Sequence, residues 1–153
     1  MKAAPRAARF IAVGLLSSIA LLPLLPLFAR ACPVLEPVER AARVWFDFHC
    51  ERDPARTLSL HGVALGVCAR CSGIYFGLGL GAALRWPQLT PAGLRRWVLA
   101  AAALMLADVM LERFALHGAW PAVRVATGLL LAYPVGVGLA LAVARAPNAA
   151  QRP

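Results

Sequence analysis

Residues 68–84 read "CARCSGIYFGLGLGAAL", and within them Gly73, Gly77 and Gly81 recur every four residues. Residues four apart share one face of an α-helix, and a face of small residues lets membrane helices approach closely. The run holds one charged residue, Arg70, near its start. Extended back to Val63, it predicts an apolar helix over 63–84. That is long enough for a bilayer whose hydrocarbon layer is roughly 30 Å thick, at 1.5 Å of helical rise per residue.

Three other stretches predict membrane helices: 10–28 ("FIAVGLLSSIALLPLLPLF"), 97–116 ("WVLAAAALMLADVMLERFAL") and 125–144 ("VATGLLLAYPVGVGLALAVA"). Pro23, Pro26 and Pro134 fall inside them, which neighbouring helices make tolerable in a membrane. Composition agrees. The 153 residues are 61% hydrophobic with mean hydropathy +0.69, and 15% are charged, against about 25% in ordinary soluble domains. A net charge of +9 does not indicate nucleic acid, because no domain-sized stretch is both basic and soluble and no recognition motif is present. The expected partner is the lipid bilayer, and no protein partner is specified. The expectation is an all-α integral membrane protein: a single four-helix transmembrane bundle with an outer amphipathic helix in the loop 29–62.

The charge has a topological explanation. Lys2, Arg6 and Arg9 precede the first span, Arg85, Arg95 and Arg96 lie in the 85–96 turn, and Arg145 and Arg152 follow the last span, with no acidic residue among them. The 29–62 loop balances Arg30, Arg40, Arg43, Arg52 and Arg56 against Glu36, Glu39, Asp47, Glu51 and Asp53. Cytoplasmic termini put every uncompensated cluster on one side, so the loop faces outward from the inner (plasma) membrane of the cell. A basic start, an apolar core and "ARA" before Cys32 also resemble a cleavable signal. The apolar run exceeds the usual 7 to 15 residues of a signal core, and both readings leave the loop outside.

In that loop, Leu35, Val38, Ala42 and Trp45 have helical spacing, and Glu36/Arg40, Glu39/Arg43 and Arg43/Asp47 are opposite-charge pairs four apart. They predict an amphipathic helix at the membrane surface, with Trp45, Phe46 and Phe48 at the interface. It delivers His49 and Cys50 to residues 46–73, "FDFHCERDPARTLSLHGVALGVCARCSG", which hold three of the four cysteines.

Three chemistries fit this stretch. Cys68 and Cys71, three apart, can point to one site. With Cys50 and either His49 or His61 they supply four soft ligands of the kind that hold zinc tetrahedrally, and Arg70 would favour the thiolate form. Alternatively, Cys32 and Cys50 in the outer loop and the C-x-x-C pair at the membrane edge resemble, in layout only, quinone-linked thiol oxidoreductases of the vitamin K epoxide reductase and DsbB type. There a loop pair exchanges disulfides with the C-x-x-C. Only this second reading makes the protein an enzyme. Third, the cysteines of an exported loop can be a structural staple.

Asp108, Glu112, Arg113 and Arg124 lie within or beside spans three and four, where charge is costly and is paired or functional. In the orientation above they gather with Arg70 at the level of the cysteines. They either lock helix order as ion pairs or line an outward pocket with the thiols.

"CERDPARTL", "CARCSGIYFGLGLG", "LADVMLERF" and "VRVATGLL" together resemble a family of small prokaryotic membrane proteins, domain-of-unknown-function family 2085. The resemblance covers about residues 45–132. It singles out Cys50, Pro54, Arg56, Cys68, Ala69, Arg70, Cys71, Gly73, Ile74, Tyr75, Asp108, Arg124, Thr127 and Gly128, and implies no activity. One position departs: Glu51 stands where the pattern has His. If the family site is a metal centre, Glu51 or the preceding His49 takes that place. The expected site is therefore Cys50, Cys68, Cys71 and His49, supported by Arg56, Arg70, Asp108 and Arg124.

Overall fold

The computed structural model describes residues 6–84, 86–87, 90–114, 118 and 120–149, without the side chains of residues 6–9, 12 and 144–149. Lys2, Arg85 and Arg152, and the side chains of Arg6, Arg9 and Arg145, lie outside the described residues. So do Leu116, at the end of the third predicted span, and His117 in the turn after it.

The protein is mostly helical. In chain order it comprises α1 (Arg6–Ser18), α2 (Leu25–Ala31), α3 (Glu36–Asp47), β1 (Thr57–Leu60), β2 (Val63–Cys68), α4 (Ala69–Leu84), α5 (Pro91–Arg113) and α6 (Pro121–Ala149). The first predicted span is interrupted by a 3₁₀ segment, Ile19–Leu24, that contains Pro23; Pro26 then occupies the first turn of α2. Proline lacks the N–H that an α-helix interior requires, so the tighter winding occurs where it does least damage. Thr90 starts α5 by accepting a hydrogen bond from the Gly93 N–H (3.2 Å), a regular N-cap. Among the described residues two stretches, Val13–Ala31 and Pro121–Val143, are long and apolar enough to cross a membrane.

The second predicted span needs correction, and with it the all-α expectation. Val63–Cys68 is not helical: it is a strand paired antiparallel with Thr57–Leu60. The cause is local. Leu60 pairs with Val63 across a two-residue turn in which His61 (φ 51°) and Gly62 (φ 74°) both have positive φ. This is the combination that matches the twist of paired strands. β-Branched Val63 and Val67 suit a strand. The register is irregular between Thr57 and Ser59, and α4 therefore starts only at Ala69.

α4 packs along α6, which also packs against α5, while the N-terminal helical run lies against the other side of α4. The glycine pattern makes the α4–α6 approach possible. A Cβ at Gly77 would lie 2.7 Å from the Leu129 carbonyl oxygen, and at Gly73 and Gly81 it would come closer still to the carbonyls of Val125 and Tyr133. α6 reciprocates: Gly128 faces the Arg70 carbonyl and Gly136 the Leu78 carbonyl. Gly79, off this seam, meets Ala20 and the Ser17 carbonyl instead. At the far end Trp97 of α5 donates to the Leu130 carbonyl (3.1 Å) and stacks on Tyr133.

α3 forms as expected, with Val38 and Trp45 exposed on it and Val34 and Phe48 exposed beside its ends. Phe46, expected at the interface, faces inward instead, as does Glu39. Phe46 is drawn in because Gly66 of β2 leaves room for its ring, 3.0 Å from where a Cβ would stand.

A bulky residue on the seam cannot be absorbed by backbone atoms. Gly77→Val should lower stability by about 1–3 kcal/mol and depress the unfolding temperature in detergent. Gly14→Ala, with nothing within 4 Å, should leave that temperature unchanged or slightly raised; equal losses in both would refute the seam.

Candidate thiol and ion-pair site

Three local structures deliver the three cysteines. The end of α3 turns at His49 and Cys50, whose N–H groups both bond the Phe46 carbonyl (3.0 and 2.9 Å). The hairpin ends at Cys68, and Cys71 lies in the first turn of α4. The pair therefore spans a strand-to-helix junction rather than one helical face. All three sulfurs lie within 4.8 Å of one another, and the Cys68 N–H donates to Cys50 Sγ (3.2 Å).

Beneath them is an apolar floor. Phe46, Cys50 and Val67 form a buried cluster against which Leu22, Ala42, Cys68, Cys71 and Tyr75 pack. The rings of Phe46 and Tyr75 meet edge to face at 5.6 Å. The N-terminal end of α4 lies at the sulfurs. In the loop, the Cys50 thiol is held above its ordinary pKa, first by its hydrogen bond with the Cys68 sulfur, with burial acting in the same direction. Interacting thiols this close titrate as a group rather than as separate residues.

The remaining sequence candidates are placed differently. His49 is exposed and outside the three-sulfur group; its Nδ1 is 2.7 Å from the Trp45 carbonyl and its ring packs on Trp45. Cys32 is exposed at the end of α2, also outside that group. His61 forms the hairpin turn, and Glu51 is exposed.

The charged residues converge on Glu112. Arg124 grips it with two nitrogens, Nη2 on Oε1 and Nε on Oε2 (3.1 Å). Arg70 Nη2 bonds Asp108 (2.6 Å) and lies 3.6 Å from Glu112. Arg56 Nη2 is 3.5 Å from Glu112, and its Nε is 3.4 Å from Asp53. Asp53 in turn caps the 54–56 turn by accepting from the Ala55 N–H (2.9 Å). Arg124, Asp108 and Thr127 are buried. The expected supporting residues Arg56, Arg70, Asp108 and Arg124 thus meet, and Glu112 joins them together. The signal for Glu112 was its position one turn after Asp108.

Arg70 turns its guanidinium toward α5, whereas the sulfurs pack toward α3. Thiols and ion pairs therefore occupy different sides of the start of α4, linked through its backbone. Arg70 Nε and Ser72 Oγ are buried polar atoms without a hydrogen-bond partner.

Fold and site define a mostly helical membrane protein with a three-cysteine cluster beside an ion-pair network that joins α4, α5 and α6. The chain belongs to the family described as "Predicted membrane protein (DUF2085)", whose sequence profile matches residues 50–140. Neither a curated protein sequence nor a solved structure matches it.

Glu112→Gln leaves Arg124, buried to 3% exposure, without its counter-charge. Breaking a buried pair from one side costs about 3–5 kcal/mol, so this variant should unfold well below the wild type in detergent. Arg113→Gln, exposed on the same helix, should unfold with the wild type. A Glu112→Gln protein of unchanged thermal stability would refute the role of Glu112.

Proposed function

We propose that this protein is a multi-pass membrane protein that binds a thiophilic metal ion, zinc being the first candidate, through Cys50, Cys68 and Cys71. The observation that carries the reading is the mutual approach of three sulfurs within 4.8 Å. Zinc–sulfur bonds of about 2.3 Å in a tetrahedral site set sulfurs about 3.8 Å apart, so the three need only draw together slightly. His49 is the proposed fourth ligand. With Nδ1 on the Trp45 carbonyl, its Nε2 is the nitrogen available to a metal, as in histidines oriented by a backbone carbonyl. In this reading the network of Arg56, Arg70, Asp108, Glu112 and Arg124 fixes the start of α4 and so the sulfur positions.

The four-span arrangement belongs to the same proposal. α1–α2, α4, α5 and α6 are the spans, in the inner (plasma) membrane, with cytoplasmic termini and the thiol site outward. Exposed apolar side chains on several helices support it: Leu15 (66%), Leu84 (63%), Leu106 (60%) and Leu139 (45%) would be costly in water in such number. α4, 16 residues long, covers roughly 24 Å, which puts its first turn and the sulfurs near the edge of the hydrocarbon layer. The exposed apolar residues of α3 suit the same interface.

Elemental analysis and thiol counting on one detergent-purified sample test the site. One metal per chain, lost in Cys68→Ser, is the expected result. Metal-free protein with two thiols fewer than its cysteine count would favour the quinone-linked thiol–disulfide reading or a structural disulfide, which added quinone separates. Metal-free protein with all thiols reduced and the fold intact would refute the metal reading.

Exposed Cys32 reports orientation. A membrane-impermeant maleimide should label it on intact cells, and labelling only after permeabilisation would reverse the proposed topology.

A further inference from the structure

A second site is formed between the end of α2, α3, the 52–57 segment and β2. There a cavity of about 560 Å³ is lined by Arg30, Arg43 and Arg52, by Pro26 and by Val63 to Gly66 of β2. Among the described residues no carboxylate lines it. The three arginines come from three separate segments. Arg43 pairs with Glu39 and Arg52 with Asp47, but Arg30 has no ion-pair partner among the described residues. Arg30 is thus the uncompensated charge among the three, and the planar forks of guanidiniums suit the oxygens of phosphate. We propose that this cavity binds a phosphate anion, carried by the headgroup of an anionic phospholipid.

Two features favour a lipid as the source. Pro26 and Arg30 belong to the last turns of Val13–Ala31, one of the two stretches apolar enough to cross a membrane, so the cavity sits at the headgroup level of that span. Its remaining wall, Pro26, Val63, Ala64 and Leu65, is apolar, which suits the glycerol and acyl portions beside a charged head. An adjoining cavity of about 390 Å³ shares Pro26, Arg30 and Arg43 but is also lined by Glu36, Glu39 and Arg40, so the anion site is the first cavity. The size falls within the range of small-molecule sites. Nothing here depends on the cysteines, so the site stands or falls separately from the metal reading.

The test uses full-length protein in a neutral detergent, titrated with phosphatidylglycerol, with phosphatidylcholine and with inorganic phosphate. Wild type should bind phosphatidylglycerol at least tenfold tighter than phosphatidylcholine, and the preference should shrink as sodium chloride is raised. Arg30→Gln, which breaks no ion pair, should lose about tenfold in that affinity, the worth of one charge-assisted hydrogen bond. Arg96→Gln, an exposed arginine of α5, should bind as wild type does. Arg30-dependent binding of inorganic phosphate without a lipid preference would keep the phosphate site and assign it a soluble ligand. Equal affinity of wild type and Arg30→Gln for both phosphate probes would overturn it. Should Arg30→Gln fail to fold, a salt-independent wild type with no preference between the two lipids would overturn it equally.

Discussion

The rest of the structure hangs on the backbone-to-backbone approach of α4 and α6. Glycines on both helices remove the side chains that would hold them apart, so carbonyl groups of one helix occupy the space that β-carbons of the other would need. In a membrane, where apolar side chains gain nothing by leaving lipid for protein, such close van der Waals contact is a main source of helix association. Gly128 has a particular place in it. It abuts the Arg70 carbonyl, so the same contact that joins the helices fixes the residue between Cys68 and Cys71 and aims its side chain at Asp108. Packing, charge pairing and thiol position are thereby consequences of one seam.

Much of this was legible in the residues. The four-residue glycine period predicted the seam on α4, and the spacing around Leu35 to Trp45 predicted a helix in the loop. Charged residues in apolar stretches predicted that Asp108 and Arg124 would join an ion-pair group. What the period could not convey was the hairpin. "VALGVC" is apolar throughout, and a short apolar run serves as well for the start of a buried helix as for a strand. The deciding residues were His61 and Gly62, whose positive φ values close a two-residue turn, and a His-Gly pair is a weaker turn signal than Asn-Gly. The burial of Phe46 was missed for a related reason. Glycine at position 66, distant in sequence, opens the space that draws Phe46 inward, and no helical periodicity contains that information.

The candidate site divides along the same line. That Cys50, Cys68 and Cys71 belong together could be inferred from residue type and spacing, because soft donors in an otherwise apolar chain have few structural reasons to cluster. Their mutual distance depends on the hairpin folding Cys68 back beside Cys50. Glu112 as the common partner of Arg56, Arg70 and Arg124 required three dimensions, since its partners come from a loop and two different helices.

The strand-to-helix junction has a mechanical meaning of its own. Two of the three sulfurs sit on either side of the point where extended backbone becomes helical, and the third hangs from the end of α3. Any bond drawn among them is therefore a tie rod added to the apolar packing of three levers: the hairpin, the helix that is clamped by glycine to its neighbour, and α3. Tightening it would stiffen the rim against a fixed post, and loosening it would let the hairpin and α3 swing. The chemistry at the sulfurs would thus be read elsewhere in the molecule as a change in the rigidity of this end of it.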